Sequence, residues 1–170
     1  YKLSKNQDFD LILIILVNLN SLICKSDPLH EGFQYLSSIH KSEYLRIYTM
    51  LFYGGGYTDL QQINEAWSPH FKTLFESDKW ICGYPENGVI GSSAYICKSQ
   101  NPIIKEIYSI MLTILDSKLE SLKRNLAKSS NDCSEISSYP IGKHELYKNI
   151  FYPICQKYKE KLLITLAPPT

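Results

Sequence analysis

No apolar run in this chain exceeds residues 11–17. That run is far too short to span a bilayer and lacks the flanks of a signal peptide. No CxxC pair occurs among the five cysteines, Cys24, Cys82, Cys97, Cys133 and Cys155. They lie far apart, and an odd number cannot all pair within one chain. Small apolar core residues in a reducing compartment are expected, rather than disulfides or a zinc site. No sign of charge dominates either: 18 basic and 17 acidic residues are intermixed, for a formal net charge of +1. That balance argues against a nucleic-acid binder working through a broad electrostatic footprint. No Gly-Lys-Ser/Thr follows the glycine run at Gly54, so it is not a P-loop, and Ser92 and Ser93 lack the flanks of a nucleophile elbow. His30, His40, His70 and His144 show no metal-ligand spacing and read as surface or boundary residues. There is no internal repeat and no low-complexity tract.

What is present suits one globular domain spanning residues 1–170. The chain has 170 residues, of which 44% are apolar and 21% charged. Residues 11–17 are isoleucine- and leucine-rich without alternation, as in a strand covered on both faces of a parallel or mixed sheet. Residues 18–28 read as an irregular link. Ser42 is a good helix N-cap with Glu43 in the first turn. Tyr44, Leu45, Ile47, Tyr48, Leu51 and Phe52 supply the apolar stripe that follows. Gly54, Gly55 and Gly56 end that helix, and Tyr57, Thr58 and Asp59 form a short strand. Residues 79–84 and 92–98 are further strands, bounded by glycine, proline and asparagine. Asn101 caps a helix with Pro102 at its first position, running to about Asn125 with Ile103, Ile107, Ile110, Ile114 and Leu122 buried. A polar loop, 128–138, precedes a second helical region that begins near Lys143 and is redirected at Pro153. Lys157, Lys159 and Lys161 mark a solvated face, and Pro168-Pro169 closes the chain in extended form. The alternation predicts an α/β domain whose ligands gather at the carboxyl ends of strands, where Asp59 falls.

The segment with chemical content is 42–61. Glu43 and Arg46 are three residues apart and share a helix face, which by itself describes only a weak local ion pair. Three consecutive glycines follow. They are costly in backbone entropy, and what they give in return is close backbone approach or unusual dihedrals. A tyrosine and a carboxylate directly after them suggest a ligand cradle.

Ser42-Glu43-Tyr44-Leu45-Arg46, followed by Tyr53-Gly54-Gly55-Gly56-Tyr57-Thr58-Asp59, resembles the donor-site signature of the DXD-type sugar transferases. These are the capsular-polysaccharide and mannosyltransferase-like group and, more distantly, the clostridial glucosylating toxins. The resemblance extends through Asp78 to Tyr84 and Ala94 to Lys98, to Tyr139-Pro140-Ile141, and covers about residues 28–170. It implies a GT-A-like nucleotide-diphospho-sugar transferase fold, incomplete at its N-terminus because the chain begins at Tyr1. It also implies transfer of a sugar from a UDP- or GDP-sugar to a glycan or lipid-linked acceptor. The donor-binding residues it implies are Glu43, Arg46, Gly55, Gly56, Tyr57 and Asp59, with Arg46 and Asp59 as the catalytic pair. Arginine suits bidentate contact with a diphosphate. A manganese or magnesium ion would be held by Asp59 and Gln61. Gln61 stands where the family has its second acid, so the alternative is a non-catalytic sugar-nucleotide-binding remnant. Donor supply and the cysteines point to the cytoplasm, with at most peripheral association at the inner face of a membrane. An upstream anchor would instead place the protein in the Golgi lumen.

Weaker candidates are Trp67 and Trp80 as a stacking platform for an acceptor sugar, set against core packing. Asp132 and Glu135 are further acids in a loop able to approach the site, set against ordinary solvation.

Overall fold

Asn87 and Gly88, with φ of 51° and 74°, turn the chain between β2 (Ile81–Glu86) and β3 (Val89–Cys97). Such an Asn-Gly pair suits a tight hairpin because both positions tolerate positive φ. The computed structural model describes residues 9–15, 17–131 and 139–170. Two more strands flank the hairpin: β1 (Gly55–Thr58), antiparallel to β3, and β4 (Leu162–Ile164), parallel to β2. The sheet order is β1-β3-β2-β4, so the fold is α/β with a four-stranded mixed sheet. β1, β2 and β4 run in one direction, and β3 runs against them. The pairing of β2 with β3 shifts register between Gly83 and Pro85.

Three helices cover one face. These are α2 (Ser38–Phe52), α4 (Pro102–Asn131) and α5 (Lys148–Lys157), with the turn of α1 (Leu19–Leu22) beside α2. Tyr44, Ile47 and Tyr48 of α2 meet Ile103, Ile107, Met111 and Leu115 of α4, with Tyr147, Phe151 and Tyr95 closing the same core. The opposite face is covered by α3 (Ser68–Glu76) and the C-terminal tail. There Trp67, Leu74 and Leu166 pack on Cys82, Ala94 and Ile96. The tail is held by Thr165 and Leu166 amides donating to the Gly83 carbonyl, and by paired backbone bonds between Gln62 and Thr170.

Several expectations are corrected. Residues 11–15 form no strand: Leu11, Ile12, Leu13 and Ile15 are exposed, and so is Val17 at 89%. Residue 16 lies outside the described residues. The link 18–28 contains α1. Helix α2 starts at Ser38 rather than at Ser42, because Ser37 is the cap and its hydroxyl accepts from the His40 amide. The strand before Asp59 begins two residues earlier than expected, at Gly55. α4 continues to Asn131, and the loop expected over 128–138 is helical over 128–131, its remainder lying outside the described residues. Its buried side is Ile103, Ile104, Ile107, Met111, Leu115 and Leu122, while Ile110 and Ile114 sit half-buried at its border. α5 begins at Lys148 and runs through Pro153 to Lys157. The proline removes one backbone donor, and burial of Phe151, Ile154 and Cys155 holds the helix together regardless. α3 and β4 were not expected from the sequence.

Cys82, Cys97 and Cys155 are free and buried, and Cys24 is free and half-buried. Burial raises the thiol pKa of both Cys97 and Cys155 to about 12, as befits inert core residues. Among the described residues, no helix is long and apolar enough to cross a membrane.

Candidate functional site at the carboxyl end of β1

The glycine run brings α2 and β1 into contact. Gly54 has φ +66°, and a Cβ there would lie 2.4 Å from the Ser99 backbone nitrogen. Only glycine fits that position. On the far side of the strand, a Cβ on Gly56 would meet the Trp67 ring at 2.6 Å. The strand is thereby pinned between the turn before α4 and the indole before α3. Trp67 is a buried packing residue, while Trp80 has Tyr158 and Lys161 against its ring, at 5.5 Å each.

Pinned in this way, β1 carries Asp59 to the end of the strand, where its amide donates to the Ser93 carbonyl at 2.8 Å. From α2, Arg46 reaches the same point. Its Nη2 donates to Asp59 Oδ1 at 2.6 Å and its Nη1 to the Ser92 carbonyl at 2.9 Å. The guanidinium lies 4.5 Å from the ring centre of Tyr57 and 4.6 Å from that of Tyr147. The Tyr57 hydroxyl donates to Asp59 Oδ1 at 2.5 Å, and the Tyr147 hydroxyl to the Ser92 carbonyl at 2.8 Å. Arg46 is 7% exposed, whereas the Asp59 side chain is 36% exposed. The carboxylate is therefore the rim of the site and the guanidinium its floor. Burial pulls the Arg46 pKa down, but Tyr147, Tyr57, Tyr95 and Asp59 together push it up, and the net shift is upward.

Glu43 stands one helical turn before Arg46 and is also 7% exposed. Burial raises its carboxyl from 4.5 to about 7, against the pull of Arg46 and Lys148. Its Oε2 is 3.9 Å from His40 Nε2. His40 is no surface residue: it is buried, stacked on Tyr139, and bonded to that tyrosine's hydroxyl at 2.8 Å. Burial lowers its pKa, so the neutral ring is favoured. His30 bonds Asp116, and His70 bonds Glu65 and Thr165.

Gln61 follows Asp59 in a tight turn, its amide donating to the Asp59 carbonyl at 2.6 Å. Its side-chain Oε1 is buried and makes no hydrogen bond. The same holds for Glu43 Oε2 and Arg46 Nε. These are three of the four such atoms among the described residues. The fourth, the Tyr95 hydroxyl, lies within electrostatic reach of Tyr147 and Arg46. Buried polar atoms are ordinarily paired, and here three of the unpaired ones belong to Glu43, Arg46 and Gln61 of the 42–61 segment.

The structure thus joins Glu43, Arg46, Tyr57 and Asp59, with Gly55 and Gly56 on the strand leading in and Gln61 just beyond. Sequence spacing did not disclose Tyr147 or the Ser92 carbonyl, which arrive from α5's leading edge and from β3. Asp132 and Glu135 lie outside the described residues. As a resident divalent-ion site the set is a poor fit. Its one peripheral acid already accepts from Arg46 and Tyr57 through Oδ1, leaving Gln61 Oε1 as the only other nearby oxygen donor of the expected pair. Among the described residues, no group of three or more histidine, cysteine or acidic side chains could hold a metal. Comparison with models of known protein families, with curated proteins and with solved structures finds no match for this chain.

Proposed function

We propose that the chain is a GT-A-like nucleotide-sugar-dependent glycosyltransferase, in which Glu43, Arg46, Tyr57 and Asp59 form the site for a UDP- or GDP-sugar. The observation that carries this reading is that unpaired buried polar atoms, Glu43 Oε2, Arg46 Nε and Gln61 Oε1, fall on residues of the donor-like signature. A diphospho-sugar offers acceptor oxygens for the guanidinium donors of Arg46 and hydroxyls for Glu43. Arginine has five N–H donors, and among the described residues the buried Nε–H of Arg46 has no partner. A guanidinium held between two tyrosine rings cannot swing away. It is preorganised to meet the negative charge that develops on a departing diphosphate. Asp59, half exposed at the rim, is placed to accept a hydroxyl of the ribose or of the sugar. Glu43, with a pKa near 7, can donate as well as accept. The acceptor in this reading is a hydroxyl of a glycan or of a lipid-linked saccharide. A divalent ion, where one takes part, would come with the diphosphate and find Asp59 and Gln61 Oε1 as protein donors.

A second reading, binding without turnover, is favoured by Gln61 in the place of a second acid. One assay separates the two. The chain is incubated with UDP-glucose, UDP-galactose, UDP-N-acetylglucosamine and GDP-mannose, with and without manganese, and release of the nucleoside diphosphate is followed. The enzyme reading expects release from at least one donor and its loss in Asp59→Ala. Binding of a donor without release would establish the second reading.

A further inference from the structure

β1 and β2 run in the same direction on either side of β3, so their carboxyl ends lie at one end of the sheet. Asp59 follows β1 there, and Glu86 closes β2. The two strands are two spacings apart, about 10 Å. Ser92 of β3 lies between them and is tied to both sides. Its carbonyl accepts from Arg46 and Tyr147, while its hydroxyl is paired with the Tyr152 hydroxyl at 3.2 Å. The Tyr152 hydroxyl in turn donates to Glu86 Oε2. Two hydrogen bonds and one serine therefore connect the Glu86 carboxylate to the backbone oxygen that holds Arg46. Both Glu86 and Tyr152 are half-buried, at the border of the sheet end and solvent. Burial raises the Tyr152 hydroxyl to about 12, so it keeps its proton and acts as a donor at neutral pH.

Nothing in the donor site uses this second carboxylate. Among the described residues it forms no ion pair and caps no helix, and its bond from Tyr152 fixes a single oxygen. A carboxylate oriented through one oxygen, with lone pairs left over at a solvent border, is suited to receive the hydroxyls of a saccharide.

We propose that Glu86, oriented by Tyr152 and Ser92, is the acceptor subsite, binding a hydroxyl of the saccharide that faces the donor held by Arg46 and Asp59. This deepens the donor reading and rests on it. No bond is made or broken at Glu86 in this proposal. It holds the acceptor hydroxyl by accepting its hydrogen bond, and so contributes recognition and position.

The test uses the full chain with saturating UDP and, as probes, the methyl glycosides of glucose, galactose and mannose, observed by saturation-transfer NMR. At least one probe should bind the wild type. Glu86→Gln should weaken it about tenfold or more, and Tyr152→Phe about threefold, while calorimetric binding of the nucleotide sugar stays unchanged in both. Tyr152→Phe keeps the ring and its packing, so it serves even where Glu86→Gln does not fold. Unchanged probe affinity in the two variants overturns the proposal, as does an equal loss of nucleotide-sugar binding, which would make Glu86 part of the donor site's framework. A wild type that binds a nucleotide sugar but no glycoside overturns this inference alone. A wild type that binds no nucleotide sugar overturns the donor reading and this inference with it.

Discussion

Arg46–Asp59 and Lys157–Glu106 are ion pairs of nearly the same length, 2.6 and 2.7 Å, in opposite surroundings. Lys157 is 57% exposed, on the last turn of α5, and reaches across to α4. Arg46 is enclosed between two aromatic rings, and its second nitrogen is spent on a backbone carbonyl. The difference shows that the distance between charges says little about what a pair does. An exposed pair competes with water and salt, and is worth little. A guanidinium taken out of water needs every partner it has, and removing one strands a charge. The surface pair decorates a helix–helix contact, while the buried pair organises a site.

The comparison is broken most severely by Arg46→Ala, expected to destabilise the chain by about 3 kcal/mol in urea unfolding. That is the lower end for a buried pair, because Asp59 is partly exposed. A loss comparable to that of a surface lysine would mean that Arg46 is not the floor of the site. Next comes Glu43→Gln. Its native carboxyl sits at about 7, above the ordinary 4.5, so the folded state holds the proton more tightly than the unfolded chain does. Stability from this group is complete below about pH 4.5 and is lost as pH rises through 7. Glu43→Gln should therefore be more stable than wild type at pH 8, by about 3 kcal/mol, and show no gain at pH 4. Melting curves at the two pH values decide it, and a gain confined to low pH would reverse the argument. Tyr57→Phe removes one hydrogen bond to Asp59 and leaves the ring beneath Arg46, for about 1 kcal/mol. The smallest effect is expected of Lys157→Ala, whose melting midpoint should stay within error of the wild type in 0.15 M salt.

Much of the site was legible because it is local. Glu43 and Arg46 sit one turn apart on a helix, and the glycines, Tyr57 and Asp59 follow within a few residues, so spacing alone places them near each other. The α/β class was legible from alternating elements, and Asn101-Pro102 marked the start of α4 correctly. What failed was decided by long-range packing. Residues 11–17 carry the composition of a buried strand, yet Leu11, Ile12, Leu13, Ile15 and Val17 are exposed and no strand forms over 11–15. Composition favours burial but does not supply a neighbour. Ser42 had the better local signal, but Ser37 caps α2 because His40 docks on Tyr139, 99 positions away. Pro153 has a helix breaker's chemistry and sits inside α5, where the buried face outweighs a missing donor. Tyr147 and the Ser92 carbonyl carry no local pattern at all. The sheet register and the seating of α5 bring them to Arg46.

The proposed role of the enclosed Arg46 and its rim carboxylate is to hold a nucleotide sugar. Calorimetric titration of the wild type and of Asp59→Asn with UDP-glucose, UDP-galactose, UDP-N-acetylglucosamine and GDP-mannose tests it most directly. Saturable binding of at least one donor is expected, weakened about tenfold or more in Asp59→Asn, with both proteins folded by circular dichroism. A folded wild type that binds none of the four, or an Asp59→Asn variant that binds as tightly as the wild type, would contradict it.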